Sequence, residues 1–303
     1  MIGDDATGTI NGANYNTGLG VDIFAALTTG DDNTAIGRRS LNSIVSQSYN
    51  TAIGSDTLVS NVASNNTALG YQALYDNTTG SYNTALGQET LRNATTGVRN
   101  VAIGYQALKA STSQSQNVAV GYQALILNTA EMNTAVGNKA LASNTSGSHN
   151  TAVGRLAAEK NTTGAFNTVV GSGALLNNTT ASYNTVVGKD SLYANTTGGY
   201  NTTLGVSALQ SNTTASNNTA VGYQAGYVNT TGTQQTFVGY QAGDSNSTGN
   251  YNTFIGYTAG HSTTTGSDNT IVGNGAGTSH TTGSSNGFFG TGAGNAITTG
   301  SNN

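Results

Sequence analysis

A pentapeptide of the type Asn-Thr-Ala-Val-Gly starts at Asn16 and returns with a 17-residue period to the end of the chain, with only two shorter steps. A fixed period of this kind means that each unit is one supersecondary element, which buries its apolar face only by stacking on its neighbours. We number the positions of the unit as slots 1 to 17, with Asn in slot 1 and Gly in slot 5. The sequence therefore predicts a single repeat array over residues 1–303, which begins and ends in mid-repeat.

The composition is polar and low in charge, and by itself it resembles that of a disordered chain. Charged residues make up 7% of the chain, whereas soluble domains have about a quarter. Slot 4, however, holds an aliphatic or aromatic residue in every unit, from Leu19 to Phe289. Such strict periodicity indicates an ordered core rather than disorder.

The unit Asn66 to Tyr82 illustrates the predicted coil. We expect a β-like segment that ends at Gly70, a second one over residues 73–75, and a turn over residues 77–80. Helices are disfavoured because Gly, Thr and Asn, which recur in every unit, are poor helix formers. The prediction is an all-β parallel β-solenoid, or β-roll, of about 17–18 coils with a 17-residue repeat. The Asn of slot 1 is expected to form an internal amide ladder, and the Gly of slot 5 to have a positive φ or a close backbone neighbour.

Two slots of the core vary together. Where the Leu of slot 9 becomes Gly, as at Gly226 and Gly243, the small residue of slot 3 becomes large in the following unit, as at Phe237 and Phe254. Close-packed interiors conserve volume in this way. We infer from the sequence that slot 9 of one coil contacts slot 3 of the next coil.

Slots 3 and 4 are both apolar, although adjacent residues of a strand point to opposite faces. One face fills the interior of the solenoid. The other would form an exposed apolar stripe larger than soluble monomers tolerate. The pattern therefore predicts a homo-oligomer around the long axis, and threefold cyclic symmetry suits a fibre.

The NTAIG and NTAVG strands with their invariant Gly resemble the repeats in the heads of trimeric autotransporter adhesins. The longer unit NTALGYQALYDNTTGSY is similar to repeat arrays of bacterial and phage tail-fibre-like surface proteins. The resemblance covers essentially the whole chain and implies a left-handed β-roll that assembles as a homotrimer at the cell surface. The unit of this chain is longer than the unit of the adhesin heads.

Charge and composition exclude several partners and cofactors. The formal net charge is -4 and the nine basic residues are scattered, so no nucleic-acid footprint is present. There is no Cys, and no apolar run reaches the roughly 18 residues of a membrane span. The sequence therefore predicts no cofactor, no metal site and no membrane span in this segment.

A search for catalytic groups finds no nucleophile–base constellation. His149 occupies slot 17, which holds Tyr in several units, and is interpreted as a packing residue. His261 and His280 fall in variable loop slots and are expected to be solvated. Carboxylates are paired only at residues 4–5 and 31–32, next to turns and without a His or Lys partner. We therefore predict that the chain is not an enzyme.

The Tyr-Gln pairs that follow the slot 5 Gly are the best candidates for a binding site. Their stacked rings and amides could bind glycans, although Tyr can instead shield the corner and Gln form an outer ladder. The candidate residues are Tyr223, Gln224, Tyr240, Gln241 and Tyr257. Thr columns such as Thr213-Thr214 are similar to those of ice-binding solenoids, but two units lose a loop residue, which interrupts such a face.

The sequence thus predicts an extracellular fibre module, the shaft or head of a trimeric surface fibre or filament. A tip domain outside this segment would engage a host-cell or glycan receptor, and the trimers could join end to end. The alternative is a solenoid face that itself binds glycans or ice.

Overall fold

The computed structural model describes residues 12–303, which form two compact units, residues 12–149 and Asn150–Asn303. Each unit is a parallel β-solenoid with one short strand per coil, and residues 12–303 contain no helix. The strands delimit about 16 complete coils with a 17-residue repeat. The predicted all-β parallel β-solenoid with a 17-residue repeat is confirmed.

Every strand has three residues and occupies slots 2 to 4. The first unit contains β1 (Thr17–Leu19), β2 (Thr34–Ile36), β3 (Thr51–Ile53), β4 (Thr67–Leu69), β5 (Thr84–Leu86), β6 (Val101–Ile103), β7 (Val118–Val120) and β8 (Thr134–Val136). The second contains β9 (Thr151–Val153), β10 (Thr168–Val170), β11 (Thr185–Val187), β12 (Thr202–Leu204), β13 (Thr219–Val221), β14 (Thr236–Val238), β15 (Thr253–Ile255), β16 (Thr270–Val272) and β17 (Gly287–Phe289). Within each unit consecutive strands pair in parallel with identical slots opposite, as Thr168 lies opposite Thr185.

The glycine of slot 5 ends each strand and permits the next coil to approach. Gly70 has a φ of 132°, and a Cβ atom built on it would lie 2.5 Å from the carbonyl oxygen of Gly87. Any side chain at this slot would therefore collide with backbone as well as adopt an unfavourable φ. Both reasons predicted for the invariant glycine are confirmed.

The second segment of the coil is a series of turns, so the predicted β-like segment over residues 73–75 is wrong. Gln72 and Leu74 have φ values of 55° and 50°, and the amide of Ala73 donates to the carbonyl of Gly70 at 3.3 Å. Ala73 and Leu74 are adjacent and both fully buried. A strand would place them on opposite faces, whereas left-handed residues turn both side chains inward.

The predicted ladder of slot 1 asparagines is confirmed. The side-chain oxygen of Asn83 accepts hydrogen bonds from the backbone amide of Asn100 at 3.0 Å and from its side-chain amide at 3.1 Å. The side-chain amide of Asn100 also donates to the carbonyl of Gln114 at 2.9 Å. An amide such as that of Asn100 thus links two coils and closes the turn of its own coil, so that its buried polar atoms are paired.

Slot 12 holds a second internal ladder, which sequence reasoning placed in a surface turn. Asn178 donates to the side-chain oxygen of Asn161 at 2.7 Å and to the carbonyl of Ala181 at 3.0 Å. Asn77 is fully buried and donates to the carbonyl of Gly80 at 2.9 Å. The recurrent Asn-Thr-Thr sequon is therefore inaccessible to glycosylation in the folded coil, since its amide nitrogen is buried and bonded.

The two shorter coils, residues 50–65 and 117–132, both lack slot 14. In each coil the slot 1 amide still finds its turn carbonyl, because Asn50 donates to Ala63 and Asn117 donates to Ala130, both at 3.0 Å. The turn carbonyl therefore comes one position earlier after slot 1 than in a full-length coil, where Asn83 donates to Gly97. The loop position of the missing residue was predicted, and the structure places it between slots 13 and 15.

The covariation of slots 3 and 9 reflects one aromatic ring packed between two coils. A Cβ atom built on Gly226 would lie 2.5 Å from Cδ2 of Phe237 in the next coil, as inferred from the sequence. A Cβ atom built on Gly243, however, would lie 2.5 Å from Cε1 of Phe237 in the same coil. Likewise the nearest neighbour of Gly260 is Phe254, which belongs to its own coil. The predicted contact is therefore incomplete, because slot 9 also packs against slot 3 of its own coil.

This geometry predicts which substitution rescues a core cavity. Phe254→Ala should lower the free energy of unfolding by about 3–5 kcal/mol, as for other large-to-small core changes. Gly260→Leu should recover part of this loss, because Leu occupies slot 9 in other coils, as at Leu209 with a φ of 48°. Gly243→Leu should not, since its side chain would meet Phe237. Denaturant unfolding of the two double variants decides between these contacts, and better rescue by Gly243→Leu would contradict the packing described.

One coil contains a defect in the amide ladders, at the single unit from Asn16 onward whose first slot does not hold Asn. The longer side chain of Gln235 donates to the carbonyl of Gly249 in a close contact. Both side-chain polar atoms of the buried Asn246 lack a hydrogen-bond partner, as does the side-chain amide of Asn218. The additional methylene of Gln235 thus fills the space where the two ladders meet.

Gln235→Asn should repair this defect. Because an unpaired buried polar group is unfavourable, we expect the free energy of unfolding to rise by about 1–3 kcal/mol. The matched control is Asn252→Gln, which introduces the longer side chain in the next coil and should lower stability. Hydrogen exchange of the amides of residues 235–252 measures both effects, and faster exchange in Gln235→Asn would refute the explanation.

Candidate functional site

The structure brings the candidate tyrosines together in one column. Tyr223, Tyr240 and Tyr257 occupy slot 6 of consecutive coils, directly after the glycine that ends the strand. Their rings are stacked, with centroid distances of 5.3 Å between Tyr223 and Tyr240 and 5.2 Å between Tyr240 and Tyr257. The three side chains remain about half exposed. A shorter pair, Tyr105 and Tyr122, stacks in the same slot of the first unit at 5.5 Å.

Stacking limits what this tyrosine column can bind. The interplanar angles are 16° and 11°, so both faces of the Tyr240 ring are covered by its neighbours. The electron-rich face of an aromatic ring is the part that packs against a sugar or a cation, whereas the edge is electropositive. The column therefore offers mainly ring edges and hydroxyls to a ligand. Glycan binding at these residues stays a prediction.

The glutamines of slot 7 form the outer ladder that was one of the two interpretations of the Tyr-Gln pair. Gln241 donates to Gln224 at 2.9 Å, and in the first unit Gln123 donates to Gln106 at 3.1 Å. Gln106 in turn donates to Glu89, which also accepts a hydrogen bond from Lys109 at 2.6 Å. The hydrogen bond from Lys109, more than that from Gln106, holds the pKa of Glu89 below its ordinary value. These side-chain amides thus stabilise the stacking of consecutive coils, whether or not they also bind a ligand.

A second aromatic column lies in slot 17, which precedes each strand, whereas slot 6 follows it. The ring centroids of Phe166 and Tyr183 are 5.1 Å apart, and those of Tyr183 and Tyr200 are 5.0 Å apart, with nearly parallel planes. Sequence reasoning identified slot 17 as a packing position but did not predict how far its rings stand exposed. The recurrence of Tyr in slot 17 is the sequence feature that indicates this exposed aromatic column.

The three histidines occupy different slots in three different coils. His149 is exposed in slot 17, beside the hydroxyl of Ser148 at 3.1 Å. His261 lies in slot 10, with its Nδ1 atom 3.7 Å from a carboxylate oxygen of Asp244. Burial raises the pKa of this Asp244 carboxyl, while the neighbouring His261 opposes the rise. No nucleophile completes this pair among the described residues.

His280 was expected to be solvated, but it is fully buried in slot 12, where most coils have Asn. Its Nδ1 atom lies 3.3 Å from the hydroxyl of Thr263, and its Nε2 atom lies 3.0 Å from the side-chain amide of Asn286. Burial lowers the pKa of His280 below its ordinary value of 6.5, and a hydrogen bond to the carbonyl of Gly300 opposes the shift. The neutral imidazole thus replaces an amide in the internal ladder.

The remaining candidates from the sequence are the two pairs of carboxylates. Asp31 accepts a hydrogen bond from the backbone amide of Asn14 at 2.7 Å and so orders a turn. The Asp pair at residues 4–5 lies outside the described residues. Across residues 12–303 there is neither a pocket nor a cluster of three or more His, Asp or Glu side chains that could hold a metal ion. Within the same range no helix has the length and apolarity to cross a membrane.

The outer face of the strands is a further regular surface of each unit. In each unit slot 3 is buried in the core or nearly so, whereas slots 2 and 4 point outward and are half-buried or exposed. Slot 4 therefore presents one column of apolar side chains per unit. It is bordered by slot 2, which holds Thr except at Val101, Val118 and Gly287. Val170, Leu204 and Ile255 are 39%, 51% and 39% exposed. The apolar stripe predicted from the sequence is present.

Comparison of the chain with family models, with curated proteins and with solved structures gives no match.

Protonation of His280 should destabilise the second unit in acid. The unfolded chain binds a proton near pH 6.5, whereas the buried imidazole resists it, so stability should fall as the pH drops below that value. His280→Asn places the usual amide of slot 12 in the ladder and should remove this part of the pH dependence. Thermal unfolding of both proteins between about pH 8 and pH 5 measures the effect. Parallel stability curves for the two proteins would rule out the assigned cause.

Proposed function

We propose that this chain is a structural module of an extracellular fibre, the shaft or head of a homotrimeric surface fibre or filament. The observation that carries the proposal is the uninterrupted column of apolar slot 4 side chains on the outer face of the strands. Copies of the chain associate through this outer sheet face, slots 2 and 4, and thereby remove it from water.

The apolar column suits association with a second and third copy of the same chain. Because identical slots stack in register, the column runs along the direction of coil stacking, and parallel copies can match one column against another along its length. In the second unit it extends over nine strands, from Val153 to Phe289. An exposed apolar surface of this extent is typical of an interface rather than of a free surface. A closed cyclic arrangement covers the column of every copy equally.

The absence of a pocket in the described residues, together with two surface columns built mainly for packing, favours a structural role over catalysis. The extracellular location, the left-handed coil and the trimer follow from the resemblance to adhesin heads and tail-fibre-like repeats. In such a fibre a separate tip domain would contact a host-cell or glycan receptor, and the array would serve as its spacer or join end to end with others. Direct glycan binding at the tyrosine column is the alternative.

Two charged substitutions test the assembly face. Val170→Asp combined with Ile255→Asp places carboxylates in the apolar column and should dissociate the oligomer, because desolvating a carboxylate in an apolar interface is strongly unfavourable. Val206→Asp combined with Val228→Asp is the matched control, since these residues are 43% and 38% exposed but lie outside slots 2 and 4. Analytical ultracentrifugation should report a trimer for the wild type and the control. A monomeric wild type, or equal dissociation of both variants, would refute the proposal.

A further inference from the structure

The second unit has another regular surface, which we call the threonine edge and define as slots 13 and 14 of its nine coils. Slot 14 is Thr in every one of them, and slot 13 is Thr except at Ser247. The Thr side chains of slot 14 belong to Thr163, Thr180, Thr197, Thr214, Thr231, Thr248, Thr265, Thr282 and Thr299. In the first unit the same column contains Ser as well as Thr and is interrupted by both short coils, which lack slot 14. The threonine edge is therefore continuous only in the second unit.

Slot 13 makes the threonine edge rigid. The hydroxyl of Thr196 donates to the carbonyl of Thr213 in the next coil at 3.0 Å, and the backbone amide of Thr196 donates to the same oxygen at 2.8 Å. The same pair of bonds recurs from coil to coil, for example between Thr213 and Thr230. The side chains of slot 13 therefore have one fixed orientation, and they hold the adjacent threonines of slot 14 in register.

Slot 14 provides the exposed groups. All nine threonines of this column are exposed. In the structure none of their hydroxyls forms a hydrogen bond within the described chain, in contrast to the slot 13 hydroxyls. No charged side chain occurs in slots 12 to 15 of these coils, and no aromatic one other than His280. The threonine edge thus presents free hydroxyls and methyl groups without charges that would bind their own hydration shells.

The distance between consecutive threonines in slot 14 favours a ligand that has a similar repeat distance. Adjacent parallel strands lie about 4.8 Å apart, which sets the step between equivalent Thr residues. Water oxygens in ice have tetrahedral neighbours at the O–H···O distance, so two oxygens that share a neighbour lie about 4.5 Å apart. The step between neighbouring coils is therefore within about 0.3 Å of this repeat. The geometry points to ice as the ligand of the threonine edge.

Ice fits this surface better than a crystalline polysaccharide. Saccharide surfaces are recognised through open aromatic faces, and the threonine edge has none. The edge also lies in different slots from the proposed assembly face, so binding of ice does not depend on that assembly. The threonine edge therefore acts as an ice-binding surface in addition to the structural role of the chain.

The test measures the gap between the melting and freezing temperatures of a single ice crystal in a solution of the full chain. Thr197→Tyr combined with Thr214→Tyr places two bulky side chains on the threonine edge and should abolish most of the gap seen with the wild type. The matched control is Lys189→Tyr combined with Val206→Tyr, in the same two coils but in slot 6, where Tyr occurs naturally in the following coil. This control should retain the wild-type gap and the wild-type crystal shape.

A second variant distinguishes loss of ice binding from misfolding of the first variant. Deleting Thr214 creates a coil without slot 14, which the chain already contains twice, and it should reduce the gap while the far-ultraviolet circular dichroism stays unchanged. Absence of a gap in the wild type, or equal loss in the slot 6 control, would overturn the proposal. Sedimentation of the same proteins separates the two proposals, because the edge variants should keep the oligomeric state of the wild type.

Discussion

The close approach of consecutive coils at slot 5 is the constraint on which the rest of the structure depends. The glycine there has a positive φ, and the next coil lies where its Cβ atom would be. This contact brings successive strands to hydrogen-bonding distance with identical slots opposite. Once the register is set, every other slot is matched with its own kind, and like side chains form columns. Stability of such an array accumulates from one coil interface to the next.

Because each slot stacks on the same slot of the next coil, the interior favours residue types that can pair with their own kind. An amide carries both a donor and an acceptor, so Asn can bond to another Asn and also to a turn carbonyl, as Asn100 does. A carboxylate or an ammonium group would face its own charge in the next coil. This explains why the buried polar columns consist of amides and hydroxyls, and why one longer side chain, Gln235, leaves several neighbours unpaired. His280 can replace an amide only in its neutral form.

The same rule of matching gives the surface its functional possibilities. A column of apolar residues in slot 4 forms a continuous face for self-association, and a column of Thr in slot 14 forms a regular hydroxyl array. The aromatic columns instead use most of their ring faces for contact with each other, as Tyr240 does. The two proposed surfaces occupy different slots, so a fibre module could assemble through one and leave the other exposed to water or ice.

Much of the structure of this protein can be predicted from the sequence, because the residue preference of each slot can be seen in many copies of the repeat. The invariant Gly of slot 5, the Asn ladder of slot 1 and the outward column of slot 4 follow from period, residue type and strand alternation. The path of slots 6 to 11 does not, because left-handed residues such as Leu74 turn two adjacent side chains inward, which no alternation rule predicts. The burial of His280, the ladder of slot 12 and the second contact of slot 9 all depend on that path. The sequence by itself determined which residues stack on one another, because stacking follows the repeat period. The direction in which the side chains of the turn residues point was decided only by the three-dimensional closure of the coil.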